Sequence, residues 1–542
     1  MAPPEKFANY PEPIEGPDTG YILREDHNPV LRGYPLVLAG ETGPMLDLAQ
    51  DHLTSKYASS HAKYYTISDY HEAYKSGRVT PLEVAATLLS LTMRSHKYKD
   101  AWADYHDADR LALVAARDST DRWAAGKPLG ILDGVPIGVK DDTDVKGFIN
   151  HVGMKYNPSI PFFKAKEKSS WPVRKLQEAG AVVIGKNTMH EIGADTNGLN
   201  VAQGTPTNHH NKLYYPGGSS NGGGSSVSAG VVPIAIGTDA GGSIRIPANF
   251  GGIYGLKPSH HRTMIMNNSM CITGPIAANV ADLTIAYRFM SICLVHPPEP
   301  SAKRYMGVYR DWFNKADPPV KDLCDRALDY FASKRGYEIV DIHIPYLSEA
   351  QVCHAGICMT EMAESARTRT PNPADWLSLV GPANKVLLSV GAQTPAADYI
   401  KYNALRTLVM RHLAFLFQKY PGLLIMTPTT PMIGWPRSPG DDAYGASDTN
   451  RTMRNMMYIF LANLTGTPSV NAPVGYVDPE QGEGKLPVSL LATGEWGSEE
   501  QLLAWAAETE EYLHQEYPEG RKRPDTWVDV LNLAQVGNEG KN

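Results

Sequence analysis

Between Pro216 and Pro258 the chain reads PGGSSNGGGSSVSAGVVPIAIGTDAGGSIRIPANFGGIYGLKP. By itself, a Gly/Ser-rich segment is compatible with a flexible linker. Here the small residues give way to an apolar run, Val231 to Ile236, that leads directly into Thr238-Asp239-Ala240-Gly241-Gly242-Ser243. Linkers are not interrupted by buried strands. The stretch therefore predicts a strand that ends in a tight turn of small residues. Such a turn can aim several backbone N–H groups at one point, which is how oxyanion sites are built.

Gly218-Ser219-Ser220-Asn221-Gly222 also satisfies G-x-S-x-G, the nucleophile elbow, with Ser220 as the nucleophile. That motif needs a buried strand immediately before the serine. The preceding His209 to Pro216 is too polar for a central strand and ends in proline, so the match reads as accidental. The stretch contains neither G-x-x-x-x-G-K-[ST] nor G-x-G-x-x-G, and phosphate or dinucleotide cradling has no support.

Two separated blocks within this stretch, and one upstream of it, resemble the amidase signature family. The family's GGSSGG block stands as Gly217-Gly218-Ser219-Ser220-Asn221-Gly222, and its GTDxGGSIRxPA block runs from Gly237 to Ala248. The interval between Ser219 and Ser243 is also the family's. Gly134-Val135-Pro136-Ile137-Gly138-Val139-Lys140-Asp141-Asp142 is similar to the block that carries the catalytic lysine. In weaker form the resemblance extends from about Tyr65 to about Leu503. Departures include Asn187-Thr188, where the family usually has Thr-Asn, and Leu491, where glutamine is common.

The resemblance implies a Ser–cisSer–Lys triad of Ser243, Ser219 and Lys140. A serine hydroxyl is a poor nucleophile until a base takes its proton. Lysine can be that base only when neutral, and burial away from acids favours the neutral form. Lys140 ends an apolar strand, which suits burial. Side chains alternate along a strand, so the carboxylate of Asp141 at least should point away. Ser219 would bridge Lys140 and Ser243; its alternative reading is a helix N-cap. The backbone N–H groups of Ala240, Gly241, Gly242 and Ser243 would form the oxyanion hole, because glycine leaves the turn uncrowded. Ser220, Thr238, Asp239 and Arg245 match supporting positions that orient the turn, with Arg245 equally open to a purely structural salt bridge.

The fold implied is an α/β/α sandwich around a mixed, mainly parallel sheet flanked by helices. We expect an N-terminal arm over residues 1–60, one amidase-signature domain over 61–515 with a variable substrate-pocket insertion at 298–421, and a surface tail at 516–542. Capping boxes at Thr66 and at Thr80-Pro81-Leu82-Glu83 predict two early helices. Further helices are expected near 108–125, 169–179, 320–334 and 499–512. Strands are expected at 135–139 and 181–184, with late strands and turns around Met426–Pro431, Asn463–Pro468 and Leu486–Leu490.

Composition narrows the function classes. At 42% hydrophobic and 20% charged the chain is an ordinary globular one. A net charge of −7 disfavours nucleic acid or an anionic membrane as partner. No run of apolar residues is long enough to span a membrane, which weighs against a membrane-embedded fatty-acid amide hydrolase. Cys271, Cys293, Cys324, Cys353 and Cys358 are few and odd in number, and no secretory signal opens the chain. Both suit the cytoplasm, where sequons at Asn267, Asn450 and Asn463 would have no role. The histidine pairs His209-His210 and His260-His261, and His190-Glu191, lack the ligands that would complete a metal site. We expect no metal and no cofactor.

The expected activity is hydrolysis of a small-molecule carboxamide to acid and amine or ammonia. Carbamate or ester hydrolysis, an amidotransferase A-type subunit, and a non-catalytic binding protein are the alternatives. A homodimer is left open.

Overall fold

The structure, a computed structural model, describes residues 62–94, 96–103, 107–263, 269–291 and 303–539. The expected arm at 1–60, the sequon at Asn267 and Cys293 lie outside these residues.

Both early capping boxes form. In α1 (Ile67–Lys75) the Thr66 side chain accepts the Asp69 N–H, and the Asp69 carboxylate accepts the Thr66 N–H at 2.8 Å. In α2 (Pro81–Leu89) Thr80 and Glu83 pair in the same reciprocal way, with proline as the first helical residue. Four orphan N–H groups open every helix, and these side chains satisfy two of them. After α3 (Ala108–Ala124) come β1 (Pro136–Lys140), α4 (Trp171–Glu178) and β2 (Val182–Asn187), a strand–helix–strand unit whose strands pair in parallel.

The glycine- and serine-rich stretch supplies α5 (Asn221–Ser228), β3 (Ile234–Asp239), α6 (Arg245–Phe250) and β4 (Tyr254–Lys257). It is followed by β5 (Ile272–Ala277) and α7 (Val280–Met290). The region expected as an insertion contains β6 (Arg304–Val308), α8 (Pro318–Lys334), β7 (Tyr337–Asp341), α9 (Leu347–Arg367), α10 (Pro382–Gly391) and α11 (Ala396–Lys419). Then follow β8 (Leu424–Pro428), α12 (Phe460–Thr465), the hairpin β9 (Ser469–Val477) and β10 (Leu486–Thr493), α13 (Glu499–Glu511) and α14 (Val530–Glu539).

One sheet of 10 strands runs in the order β2-β1-β3-β5-β4-β9-β10-β8-β6-β7. It is mixed, as expected, but not mainly parallel. Parallel pairing is confined to its two ends, β2-β1-β3 and β8-β6-β7. The strands between them pair antiparallel; β9 and β10 do so as a hairpin, whose short connection reverses the chain, while β3–β5, β4–β9 and β8–β10 pair strands that are not consecutive. Every residue of β1, β2, β3, β4, β5, β8 and β10 is buried, the pattern of strands covered on both faces. One apolar core gathers around β1, β2 and β3, and a larger one around β4 and β6 to β10.

Two expectations are corrected. Asn463 and Thr465, where late strands and turns were expected, lie in a short helix, and Gly466 turns the chain out of it at φ 77°. The segment expected as a surface tail contributes to the core. In α14, Val530, Leu531 and Ala534 fall on one face of the helix and pack beside α2. No helix among the described residues is long and apolar enough to cross a membrane.

Candidate active site

β1 and β3 are neighbours and parallel, with Val139 opposite Ile236, so both strands end at the same sheet edge. That edge is where open parallel sheets hold ligands. Lys140 is the last residue of β1, 1% exposed, and its Nζ lies 2.8 Å from Ser219 Oγ. It also lies 2.8 Å from Thr238 Oγ1 and 3.2 Å from the Thr238 carbonyl.

The surrounding hydrogens orient these contacts. Thr238 gives its one hydroxyl proton to Asp142 Oδ2 at 2.6 Å, so its Oγ1 accepts from Lys140. A carbonyl can only accept. Two lysine N–H groups are therefore directed to Thr238, and the remaining position of the nitrogen faces Ser219 Oγ. In a neutral amine that position is the lone pair. Asp141 turns away, as strand alternation requires, and accepts the backbone N–H groups of His151 and Gly153. Asp142, by contrast, approaches Lys140 Nζ to 3.7 Å. Thr238 thus serves the lysine and not the turn.

The Gly218–Ser219 peptide is cis. The following helix begins at Asn221 with Ser220 at its cap position, so Ser219 is not an N-cap. The Ser219 carbonyl accepts the His190 N–H at 3.0 Å, and Ser220 donates its N–H to the Ser243 carbonyl at 3.1 Å. Ser220 Oγ donates to the Thr238 carbonyl at 3.3 Å, which ties this buried hydroxyl inward and leaves the elbow reading without a nucleophile. Ser243 opens onto a cavity of about 180 Å³ together with Ala240 and Gly241. Ser219 Oγ and Ser243 Oγ are not hydrogen-bonded to each other in this arrangement.

The turn is held from beneath by Asp239. Its carboxylate accepts the Gly242 N–H at 2.7 Å and the Ile244 N–H at 3.1 Å. Gly242 is therefore a correction: its amide is directed into the protein and cannot also serve an oxyanion. Ala240, Gly241 and Ser243 keep their N–H groups free of any hydrogen bond among the described residues. Gly242 is needed for its shape, with φ at +105° and Ile459 Cγ2 2.3 Å from where a Cβ would stand. Arg245 donates to both carboxylate oxygens of Asp239 at 3.0 Å, so the salt bridge and the support of the turn are one interaction. Burial alone would raise the Asp239 carboxyl, but Arg245 and the surrounding donors outweigh it and hold it below the usual carboxylate range.

Two residues of this site stand outside the candidate site residues read from the sequence. Asn463 donates from Nδ2 to the Asp239 carbonyl and carboxylate at 3.0 and 2.9 Å, and accepts from Arg245. His354, on α9, lines the cavity and contacts Ala240. The histidine pair His209-His210 is placed elsewhere, against Thr526 and Gly251, with both rings pushed below the ordinary range by burial.

The fold brings a buried lysine, a serine in contact with it and a glycine-rich serine turn to one sheet edge, the arrangement of an amidase-type hydrolase. The profile of the Amidase family matches residues 87–503, and the chain belongs to this family, an amide hydrolase of the amidase signature group. Fatty acid amide hydrolase from Medicago truncatula is 32% identical over 503 residues, covering 88% of this chain and 80% of that protein. The Arabidopsis thaliana protein of the same name is 30% identical over 540 residues, covering 94% of this chain and 85% of its own length. A crystal structure of an amidase shares the fold at a TM-score of 0.70 and 24% identity, covering 82% of this chain and 98% of that one.

Proposed function

We propose that the protein hydrolyses carboxamides through an acyl-enzyme on Ser243, with Ser219 and Lys140 as the proton relay. Ser243 Oγ attacks the carbonyl carbon as its proton passes to Ser219, whose own proton passes to the Lys140 lone pair. The tetrahedral oxyanion is held by the N–H groups of Ala240, Gly241 and Ser243. The relay then runs backward and protonates the leaving nitrogen, because an amide nitrogen cannot depart as an anion. Water repeats the sequence and releases the acid.

The contact of Lys140 Nζ with Ser219 Oγ at 2.8 Å, its other donors turned to Thr238, carries this reading. The cavity supports an apolar acyl group as substrate: Met359, Met362, Leu387, Met453 and Met456 line it. Methionine is flexible and polarisable, suited to a chain without fixed shape. The names of the plant relatives agree. A series of primary amides and anilides of rising acyl length tests the proposal. Each added methylene that enters the cavity contributes about 0.8 kcal/mol, or roughly fourfold in kcat/KM. Equal rates for acetamide and long-chain amides would overturn the acyl assignment.

A further inference from the structure

The oxyanion turn is glycine-rich, and this creates a requirement. A peptide unit beside glycine rotates at little cost, because both signs of φ are open to that residue. If the Ala240–Gly241 peptide turned over, its carbonyl would take the place of its N–H and repel the developing negative charge. Asp239 cannot prevent this, since its carboxylate holds the Gly242 and Ile244 amides only.

We propose that His354 is the positioning residue for this peptide: its Nε2–H donates to the Ala240 carbonyl at 2.8 Å and thereby directs the Gly241 N–H to the substrate oxygen. In a trans peptide the C=O and the following N–H point in opposite directions, so anchoring one aims the other. The acceptor is a carbonyl, so the hydrogen must sit on Nε2. Nδ1 is then bare, and it is buried with no hydrogen-bond partner. A neutral ring fits that surrounding, and burial pushes the imidazole down to about 4. His354 is 1% exposed, and Phe460 meets its ring edge-on at 6.0 Å between centroids. Cys358, one helical turn further along α9, brings Sγ to 3.8 Å from the same carbonyl. A Cβ on Gly241 would stand 3.1 Å from His354 Cε1 and 3.2 Å from Met456 Sδ, so this side of the turn fits only glycine closely.

The consequence is a link between two parts of the site. α9 lines the acyl cavity with Ala355, Met359 and Met362, and the same helix aligns the group that stabilises the transition state. A displacement of α9 by a poorly fitting acyl chain would move the Gly241 amide, so acyl fit is read out in turnover as well as in binding.

The inference rests on Ser243 as nucleophile, so wild-type labelling of Ser243 by an alkyl fluorophosphonate and wild-type turnover of decanoyl-p-nitroanilide are measured beside the variants. If wild type neither labels nor turns over, the underlying reading fails and this inference with it. Given a competent wild type, His354→Phe should lose about 100-fold in kcat, the effect of one oxyanion donor, with KM little changed. A decyl trifluoromethyl ketone, which forms a tetrahedral adduct with serine, should lose affinity by a similar factor, while the corresponding methyl ketone should not. His354→Gln, which keeps an N–H at comparable reach, should recover at least tenfold of the loss. His354→Asn has the same polarity but is too short and should not, and this pair decides the matter if the phenylalanine variant does not fold. Losses confined to KM, equal effects on the two ketones, or equal kcat for the Gln and Asn variants would overturn the inference.

Discussion

Arg245 meets Asp239 as a doubly hydrogen-bonded ion pair, Nε to Oδ2 and Nη2 to Oδ1 both at 3.0 Å, with neither side chain reaching solvent. Removing one member of a buried pair leaves the other charge uncompensated, at a cost of about 3–5 kcal/mol. Arg245→Leu should therefore lower Tm in calorimetry and also depress kcat, since Asp239 anchors the Gly242 and Ile244 amides. The sign with pH follows from the depressed carboxyl. Its stabilisation is present above the ordinary carboxylate range, about pH 4, and is lost as pH falls below it. The gap between wild type and variant should narrow in acid.

The three relay residues should behave as a unit. Ser243→Ala, Ser219→Ala and Lys140→Ala should each lower kcat/KM by at least about 10³-fold, and the double variants by little more than the singles. Ser225, in α5 a short way beyond Ser219, donates to the Thr207 carbonyl at 2.8 Å and touches no reacting group. Ser225→Ala should retain turnover close to wild type. Equal loss at Ser225 and Ser243 would contradict the assignment.

Gly242→Ala separates shape from hydrogen bonding. The added Cβ would stand 2.3 Å from Ile459 Cγ2 in a backbone region that L-residues avoid. Strain of that kind costs on the order of 1–3 kcal/mol. We expect a lower Tm and slower fluorophosphonate labelling of Ser243, read by intact mass over time.

Much of this site was legible because it is built from short segments whose chemistry shows in the residue types. Two serine blocks, a lysine after an apolar strand and two capping boxes each declare themselves within a dozen residues. What could not be read depends on distant contacts. Gly242 looks like a fourth oxyanion donor until Asp239 is seen to take its amide. His354 is separated from Ala240 by more than a hundred residues and lies in a region with no motif. Asn463 reads in sequence only as part of the late strands and turns and as a sequon, yet its side chain completes the Asp239–Arg245 network. The sheet direction is hidden for a related reason: strand–helix–strand alternation shows at its first end, but the antiparallel centre is set by which distant strands pair.

Lys257 supplies a pH test away from the triad. Its Nζ is buried against the Pro258 and Thr467 carbonyls at 2.9 and 2.7 Å, and burial, assisted by Arg245, pushes it down to about 7. Between about pH 7 and 10 the unfolded chain then binds more protons than the folded one, so this group makes stability rise with pH. Lys257→Met removes that slope. The Tm advantage of the variant over wild type should be larger at pH 7 than at pH 9.5, and a constant difference would refute the shift.

The claim that Ser243 is the nucleophile is open to direct measurement. Wild type and Ser243→Ala are exposed to an alkyl fluorophosphonate, and intact mass and peptide mapping locate the adduct. One adduct, on Ser243 in wild type and absent from the variant, is the predicted result. An adduct on Ser220, or an adduct that persists in Ser243→Ala, would contradict it.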